Sequence, residues 1–463
     1  TIITCDNGIA ASSQIRLAKE LGMTVVVTDH HEVPFEEDEN GERRYILPPA
    51  DAVVNPKQKD CSYPFPGLCG AAVAWKLIQT MEAKAGIPKE HSFRFLEFVA
   101  IATIGDVMDL QGENRIFVKA GLRALHKTQN LGLQELIRVQ GIEAENVTPY
   151  HIGFVLGPCI NASGRLDTAE HSLKLLCAKT REEAAKLAGD LKDLNESRKE
   201  LTRQGEAKAI ELVETSPLQN DKVLVVYLPD CHESLAGIIA GRLREHFHKP
   251  SFVLTRSEEG VKGSGRSIEA YSMYEELCKC KELMTKFGGH PMAAGLSLAG
   301  EEMIKCSDLL TQFGGHTMAA GLSMAEENIE RFRKRLNENC TLSEEDLIPT
   351  VMIDVPMPIT YITKNLIRQL SLLEPFGKGN TKPLFAQKGL TVLNYRIFGK
   401  NRNVVKVQLA DVGGYQMDGV YFGEGEAFAA YVDAHPTLSV AYYPSIDTWN
   451  GRDKLQINIQ SYF

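Results

Sequence analysis

Two short apolar runs near the start of the chain each end in an acidic residue. Ile2–Cys5 leads into Asp6, and Val25–Thr28 leads into Asp29, which two histidines follow directly. The 23-residue spacing of the two aspartates fits one strand–helix–strand unit, with residues 12–21 as the helix. Both acidic groups should then emerge at the same edge of a parallel sheet, where open α/β sheets bind ligands.

The residue types at this edge are those of a metal site. Carboxylate oxygens and imidazole nitrogens suit Mn²⁺ or a comparable divalent ion, and paired ions stabilise the attacking and leaving oxygens of a phosphoryl transfer. A lone aspartate after a strand is more often a turn former or a helix N-cap, and this alternative applies to Asp6. Asp29-His30-His31 is harder to explain in that way.

A third apolar run, residues 101–105, delivers Asp106 at its end. We expect this carboxylate to join the same cluster. A capped turn into the next helix is the structural alternative for this segment.

Three later segments are rich in donors that suit phosphate. Residues 262–267 read as a short, flexible loop in which hydroxyls, backbone amides and a guanidinium converge, although Gly-Ser-Gly is common in plain loops. Paired glycines in the other two segments, residues 157–165 and 287–295, let the backbone approach a ligand closely. The candidate phosphate- or DNA-binding residues of the three segments are Asn161, Arg165, Ser264, Arg266, Ser267, Gly288, Gly289 and His290.

Together these motifs resemble the DHH phosphoesterase superfamily, and the later ones narrow the resemblance to its RecJ family of single-stranded-DNA-specific 5′ exonucleases. The resemblance covers nearly the whole chain. It implies a Mn²⁺ or Mg²⁺ two-metal site held by Asp6, Asp29, His30 and Asp106, with Asp6, His30, His31 and Asp106 in the catalytic set. The implied reaction is 5′-to-3′ hydrolysis of phosphodiester bonds in single-stranded DNA, in DNA repair and recombination.

The chain departs from the family pattern at its start. Family members carry an Asp-x-Asp-Gly motif on a strand upstream of the position at which this chain begins, and residue 1 already falls inside a strand. We therefore interpret the chain as an N-terminally incomplete copy. Its metal site is then expected to be incomplete and its activity as given to be in doubt.

A second departure is an internal repeat. Residues 275–297 and 301–323 match at 16 of 23 positions, so that Phe-Gly-Gly-His occurs twice, ending at His290 and at His316. A tandem copy cannot place both histidines in one slot facing the metals, so one copy is an insertion. His290 is slightly preferred, because an uninterrupted helix connects it to the preceding Ser-Gly-Arg-Ser segment.

Composition agrees with a multidomain intracellular protein. A length of 463 residues exceeds what one core usually serves, and 43% hydrophobic residues is ordinary. The ten cysteines show no CxxC pairs, which favours reduced thiols. No apolar run suits a membrane span, so we expect a cytoplasmic location and no membrane partner.

A net charge of −9 excludes a global basic surface for nucleic acid, although not a local groove. The expected partner is single-stranded DNA, delivered by a helicase or a single-strand-binding protein. The chain is expected to be a monomer.

We expect an α/β fold followed by a C-terminal barrel. A parallel-sheet DHH domain (1–178), whose α/β alternation extends to about residue 175, precedes a connecting helix (179–215), a DHH-associated domain with the duplicated unit (216–340) and an antiparallel OB-type barrel (341–463). In the barrel, basic residues would track a DNA backbone while aromatic residues stack on bases, although most of these aromatics should belong to the core. The basic candidates are Lys400, Arg402 and Lys406, and the aromatic ones are Tyr395, Phe398, Tyr442, Tyr443 and Trp449.

Two other functions remain open from the sequence. One is a DHH phosphodiesterase for short oligonucleotides or cyclic dinucleotides, which an extended barrel argues against. The other is a catalytically silent single-strand-binding protein.

Overall fold

The computed structural model describes residues 1–37, 42–166, 168–257, 260–280, 286–288, 319–435, 437–448 and 453–463, and divides into two compact units, residues 1–349 and 350–463. The first half of unit 1 contains β1 (Ile2–Cys5), α1 (Ser12–Glu20), β2 (Val25–Thr28), β3 (Phe35–Glu37), β4 (Arg43–Tyr45), β5 (Ala52–Val54), α2 (Gly70–Lys84), α3 (Leu96–Gly105), α4 (Gly112–Leu125), α5 (Leu131–Val139), α6 (Pro149–His151), α7 (Gly157–Leu166) and α8 (Glu170–Cys177).

The N-terminal sheet is parallel, as predicted. Its strand order is β1-β2-β5, and β1 aligns with β2 so that Cys5 lies opposite Thr28. Alternate valines of β2, Val25 and Val27, are buried against Ile15 of α1. This packing fixes the face of the sheet and brings the two acidic motifs to the same edge.

The prediction that strand and helix alternate to residue 175 is wrong. β5 ends at Val54, and the regular elements described from residue 70 to residue 177 are helical. The run 101–105 is therefore the end of α3 rather than a strand, and residues 157–165 lie in α7 rather than in a glycine loop. The helices share a core around Leu133, Leu136 and Leu156, which shows that a short apolar run is ambiguous between a strand and a buried helix.

The predicted connecting helix is present as α9 (Arg181–Glu214). The Thr180 hydroxyl accepts a hydrogen bond from the Glu183 amide and caps its first turn. Its first half packs on α5, where the Lys192 ammonium donates to the carbonyl of Val139. No helix among the described residues is both long and apolar enough to cross a bilayer.

The rest of unit 1 is a second α/β domain. It contains β6 (Leu224–Tyr227), α10 (Glu233–Phe247), β7 (Ser251–Ser257), β8 (Gly260–Arg266), α11 (Met273–Cys278), β9 (Lys286–Gly288), β10 (Ala319–Met324) and α12 (Ile329–Asn339). The strand order is β6-β7-β8-β10-β9, in which only β6 and β7 pair in parallel.

The segment 262–267, predicted as a flexible loop, lies almost entirely in β8, in the centre of this sheet. The glycines of this strand leave space for neighbouring side chains and do not make the segment a flexible loop. A Cβ on Gly263 would lie 2.3 Å from Leu254, and one on Gly265 would lie 2.5 Å from Met273. Glycine inside a strand often marks such a close approach.

The sheet takes its last two strands from different copies of the repeat. β9 belongs to the first copy and β10 to the second, and they pair so that Gly288 lies opposite Gly321. In the first copy Gly295 is the residue that corresponds to Gly321, so the observed register is the one that a single uninterrupted unit would have. The segment between these strands, residues 289–318, lies outside the described residues.

Unit 2 is the predicted barrel. It contains β11 (Val355–Pro356), α13 (Lys364–Ser371), β12 (Phe385–Phe398), β13 (Val404–Ala410), β14 (Gln416–Phe422), α14 (Gly425–Ala434), β15 (Leu438–Asp447) and β16 (Lys454–Tyr462). An additional β12–β15 pairing joins the sheet β11-β12-β13-β14-β16-β15 back on itself. The prediction of a purely antiparallel barrel is wrong in detail, because β14 pairs with β16, and β11 with β12, in parallel.

Candidate metal centre and phosphate-binding cleft

The edge of the N-terminal sheet brings the first two motifs together. Asp6 follows β1, and its amide donates to the carbonyl of Thr28 at the end of β2. The backbone of Asp6 has a φ of 63°, in the left-handed region that is uncommon outside glycine. The strands therefore aim both motifs at one point, and the strained turn directs the Asp6 carboxylate there.

The His30 side chain lies between the carboxylates of Asp6 and Asp106. Its Nε2 atom lies 2.9 Å from Oδ1 of Asp6 and 3.3 Å from Oδ2 of Asp106. The side chain is buried, yet neither ring nitrogen makes a hydrogen bond of acceptable geometry to any residue that the structure describes. A buried imidazole that faces two carboxylates without a hydrogen bond has the surroundings of a metal ligand.

His31 completes the group of donors. One ligand atom each from Asp6, His30 and His31 lies within 4.8 Å of the others. The hydrogen bond between Nδ1 of His31 and Oδ1 of Asp29, 2.6 Å long, is the largest influence on this imidazole and raises its pKa.

Asp29 orients its neighbours rather than facing the centre, contrary to the ligand position predicted from the sequence. It is 1% exposed, and its carboxylate accepts hydrogen bonds from the amides of Ile9, His30 and His31 as well as from the His31 ring. Burial alone would raise its pKa, but these hydrogen bonds outweigh burial and lower the pKa to about 2. Asp29 thereby fixes the loop after β1 and the ring of His31.

Asp106 reaches the centre from the carboxyl end of α3, where it is the C-cap residue. Burial is the main reason that its pKa is raised; the nearby His30 lowers the pKa, and the charge of Asp6 raises it. The next residue, Val107, has a φ of 53°, which is a strained value for a β-branched side chain. A helix C-terminus and two carboxylates together give a field that favours a cation.

Gly70, the first residue of α2, leaves the space that Asp6 occupies. A Cβ at this position would lie 2.4 Å from Oδ1 of Asp6. Sequence reasoning did not single out Gly70, because the close approach joins residues far apart in the chain. With the orphaned nitrogens of His30, this cradle fits a bound divalent cation.

A second cluster in unit 1 is basic. The Nη1 atom of Arg165 in α7 donates to the carbonyl of Ser234 in α10, 3.0 Å away. Arg266 on β8 donates to Oγ of Ser264, and burial, followed by the charges of Arg165 and Arg244, lowers its pKa. These arginines therefore lie close enough to repel one another, which an anion between them would relieve.

Sequence reasoning missed part of this cluster. Arg198 of α9 lies within the electrostatic influence of Arg165 and Arg242 and has a lowered pKa, mainly because of burial. Arg242 and Arg244 belong to an ordinary amphipathic helix, α10, so their pattern in the sequence carries no signal.

The other predicted phosphate ligands are placed as follows. Asn161 is exposed on α7. Ser267 is buried, and its hydroxyl donates to the carbonyl of Tyr271. Gly288 lies in β9, whereas Gly289, His290 and His316 lie outside the described residues.

The barrel candidates divide between core and surface. Tyr442 is fully buried and donates to the carbonyl of Met357, and Tyr395 donates to Asp433. Lys400, Arg402 and Lys406 are exposed, with Arg402 paired to Glu426, and Phe398 is 38% exposed. Tyr443 carries the ammonium of Lys382 4.6 Å from its ring centre, and Trp449 lies outside the described residues.

Three family models match the chain in order. They are the DHH family N-terminal domain over residues 1–103, the DHHA1 domain over residues 220–313 and the RecJ OB domain over residues 353–461. The parallel sheet, the acidic residues at its edge and these family matches together define an α/β protein of the DHH class.

Curated relatives narrow the assignment from the DHH class to one family. The chain is 31% identical to the single-stranded-DNA-specific exonuclease RecJ of Escherichia coli over 99% of its own length and 76% of that protein. It is 35% identical to the RecJ of Bacillus subtilis, of which it spans about half, 53%. The chain belongs to the RecJ family.

Solved structures agree with the fold. The crystal structure of RecJ from Thermus thermophilus in complex with Mn²⁺ superposes with a TM-score of 0.77 at 26% identity, covering 100% of this chain and 61% of that one. A second structure of that protein, in complex with Mg²⁺, gives a TM-score of 0.74 at 23% identity over 99% of this chain and 66% of that one.

Proposed function

We propose that this chain forms the catalytic and strand-binding part of a metal-dependent exonuclease that hydrolyses single-stranded DNA from its 5′ end. The observation that carries the proposal is the convergence of Asp6, His30 and Asp106, from three separate segments, on one point with no hydrogen bond to the His30 ring from the described residues. The Mn²⁺ complex of the Thermus thermophilus relative, which is 26% identical, supports a divalent ion as the cofactor.

The residues divide into three roles. Asp6, His30, His31 and Asp106 would hold the ion, which supplies Lewis acidity for displacement at phosphorus when bound. Asp29 holds the His31 ring in place through its 2.6 Å contact. Arg165 and Arg266 would hold phosphate oxygens, because guanidinium groups match them in shape and charge.

The biological setting is part of the same proposal. DNA repair and recombination expose single strands, and a helicase or a single-strand-binding protein would supply them to a cytoplasmic enzyme. Acceptance of one strand rather than a duplex suits a chain with a net charge of −9, which has no global basic surface.

The direct test is degradation of 5′-labelled single strands, duplexes and dinucleotides by this chain with Mn²⁺. We expect mononucleotide release from single strands once an Asp-x-Asp-Gly strand is fused ahead of Thr1, and, in that background, loss of roughly a hundred-fold or more in Asp106→Asn, since a metal ligand is removed. Turnover of dinucleotides alone would favour the small-substrate phosphodiesterase. Strand binding without cleavage, also after an Asp-x-Asp-Gly strand is fused ahead of Thr1, would favour the silent binding protein.

Metal binding is measured separately, by titration with Mn²⁺. Gly70→Ala removes no ligand, but its Cβ displaces Asp6, so we expect roughly 10- to 100-fold weaker binding. Gly189→Ala is the matched control, because a Cβ there meets nothing within 4 Å. Equal Mn²⁺ affinities of the two variants would contradict the assignment of Asp6.

A further inference from the structure

The helical segment that carries Asn161 and Arg165 also carries two exposed aromatic rings. Tyr150 is 63% exposed and Phe154 is 70% exposed, and their rings stack with centroids 5.1 Å apart and planes inclined by 29°. Large apolar side chains at such exposure, paired with each other, form a flat surface that water covers poorly. Neither residue belongs to a core cluster among the described residues.

The two rings share a face with the polar candidates. From α6 through a π-helical turn (Ile152–Leu156) into α7, Tyr150, Phe154, Asn161 and Arg165 lie on the outer side of the segment, while Ile152, Leu156, Cys159 and Ala162 are buried. At about 1.5 Å per residue, Phe154 and Arg165 are roughly 16 Å apart along the axis. That span corresponds to about five nucleotides at the duplex spacing of roughly 3.4 Å.

The segment also lies beside the metal centre. Gly153, between Tyr150 and Phe154 in the chain, faces α3, because a Cβ on it would be in ordinary contact with Cγ2 of Ile104, at 3.6 Å. Ile104 precedes Asp106 by two residues. The aromatic pair is thus on the segment that packs against the end of α3, from which Asp106 reaches His30.

We propose that Tyr150 and Phe154 form a stacking platform for bases of the bound DNA strand. The inference rests on the proposed function and adds a base-binding subsite to it. Every base has a π-face, so stacking holds a strand without reading its sequence, while Asn161 and Arg165 on the same face hold phosphates. The platform would set how firmly the strand is held near the metal centre.

The test compares two strands that carry the same phosphates. Binding of a deoxythymidylate strand of about 12 nucleotides and of an abasic strand of equal length is measured in chelator, so that neither is cleaved. We expect Tyr150→Ala and Phe154→Ala each to weaken thymidylate binding roughly 5- to 150-fold, leave abasic binding unchanged and keep the salt dependence. Phe154→Trp should retain binding, because it keeps a stacking ring.

Two controls separate stacking from charge and from folding. Arg165→Ala should weaken the binding of both strands. The slope of log affinity against log salt concentration should also fall by about one. Leu173→Ala removes another exposed apolar side chain, 61% exposed on α8, and should change neither affinity.

The outcomes are distinct. An unchanged ratio of thymidylate to abasic affinity in the alanine variants would overturn the platform and leave the exonuclease proposal standing. If the alanine variants change the mass measured by sedimentation but not the affinity ratio, the platform is overturned as well, because the rings then join copies of the chain. A wild-type chain that binds neither strand would overturn both proposals.

Discussion

At the scale of single residues, the three members of the Asp29-His30-His31 motif have different surroundings, although the sequence treats them as one group. Asp29-His30-His31 reads from the sequence as a group of ligands, yet the structure buries Asp29 under hydrogen bonds from Ile9, His30 and His31 and leaves His30 to face the centre. Asp6 also follows a strand directly, but its φ of 63° turns its carboxylate toward His30, whereas the Asp29 carboxylate accepts the amides of the residues around it.

Asp29→Asn tests this orienting role. The variant loses the charged acceptor of the His31 ring, so we expect the pKa of His31 to fall and the free energy of unfolding to drop by about 1–3 kcal/mol near neutral pH. Nuclear magnetic resonance titration of His31 and denaturant unfolding measure the two effects.

The loss of stability in Asp29→Asn should depend on pH. The folded pKa of Asp29, about 2, lies below the usual value of roughly 3.9, so its stabilisation is complete above about pH 4 and is lost as the pH falls toward 2. The advantage of the wild type over Asp29→Asn should therefore shrink below about pH 4. A difference that stays constant down to about pH 2 would show that the charge of Asp29 is not the cause.

At the scale of elements, short apolar runs predicted β1 and β2, and a stretch rich in Lys, Glu, Ala and Leu without proline predicted α9. The predictions failed where the sequence pattern was compatible with more than one structure. The apolar run before Asp106 is short enough for a strand, but it is the end of a helix that packs against α4. Gly263 and Gly265 gave a loop signal, although Leu254 and Met273 need their empty Cβ positions.

The repeat allows a test of β9 and β10 by paired deletions. Removing residues 289–314 or 293–318 shortens the connection by 26 residues and leaves one Phe-Gly-Gly-His unit, retaining His316 or His290 respectively. The products differ only in threonine or proline after the histidine. We expect both to fold with the observed Gly288–Gly321 pairing, and to gain up to about 2 kcal/mol from the shorter loop.

Thermal unfolding and nuclease assays of the two products provide the measurement. Similar activity would show that either histidine fills the slot, and activity of only one would make the residue after it decisive. Failure of both to fold would mean that the inserted residues are required by the sheet.

At the scale of the whole molecule, the chain consists of two units with separate cores. Unit 2 has its own cluster around Leu390, Val405, Leu409 and Tyr442, and its sheet joins back on itself. The sequence predicted the barrel from alternating Val405, Val407 and Leu409, but not the parallel pairings. Those parallel pairings depend on crossover connections, which no local pattern encodes.

We expect residues 350–463, produced alone, to fold with one cooperative transition, because a core and a joined sheet are the requirements of an independent domain. Circular dichroism melting of the isolated unit and of the whole chain gives the comparison. A broad transition without tertiary signal in the isolated unit would show that its stability depends on unit 1.

The length of α9 has a mechanical consequence. Its 34 residues extend about 51 Å, with Lys192 seated on α5 in the first half of the helix and Gly205 against Ile239 of α10 in the second half. A rod of that length works as a lever, since a tilt of roughly five degrees at one end sweeps the far end through about 4 Å. The position of α10 relative to the N-terminal helices therefore depends on how firmly α9 is seated on α5.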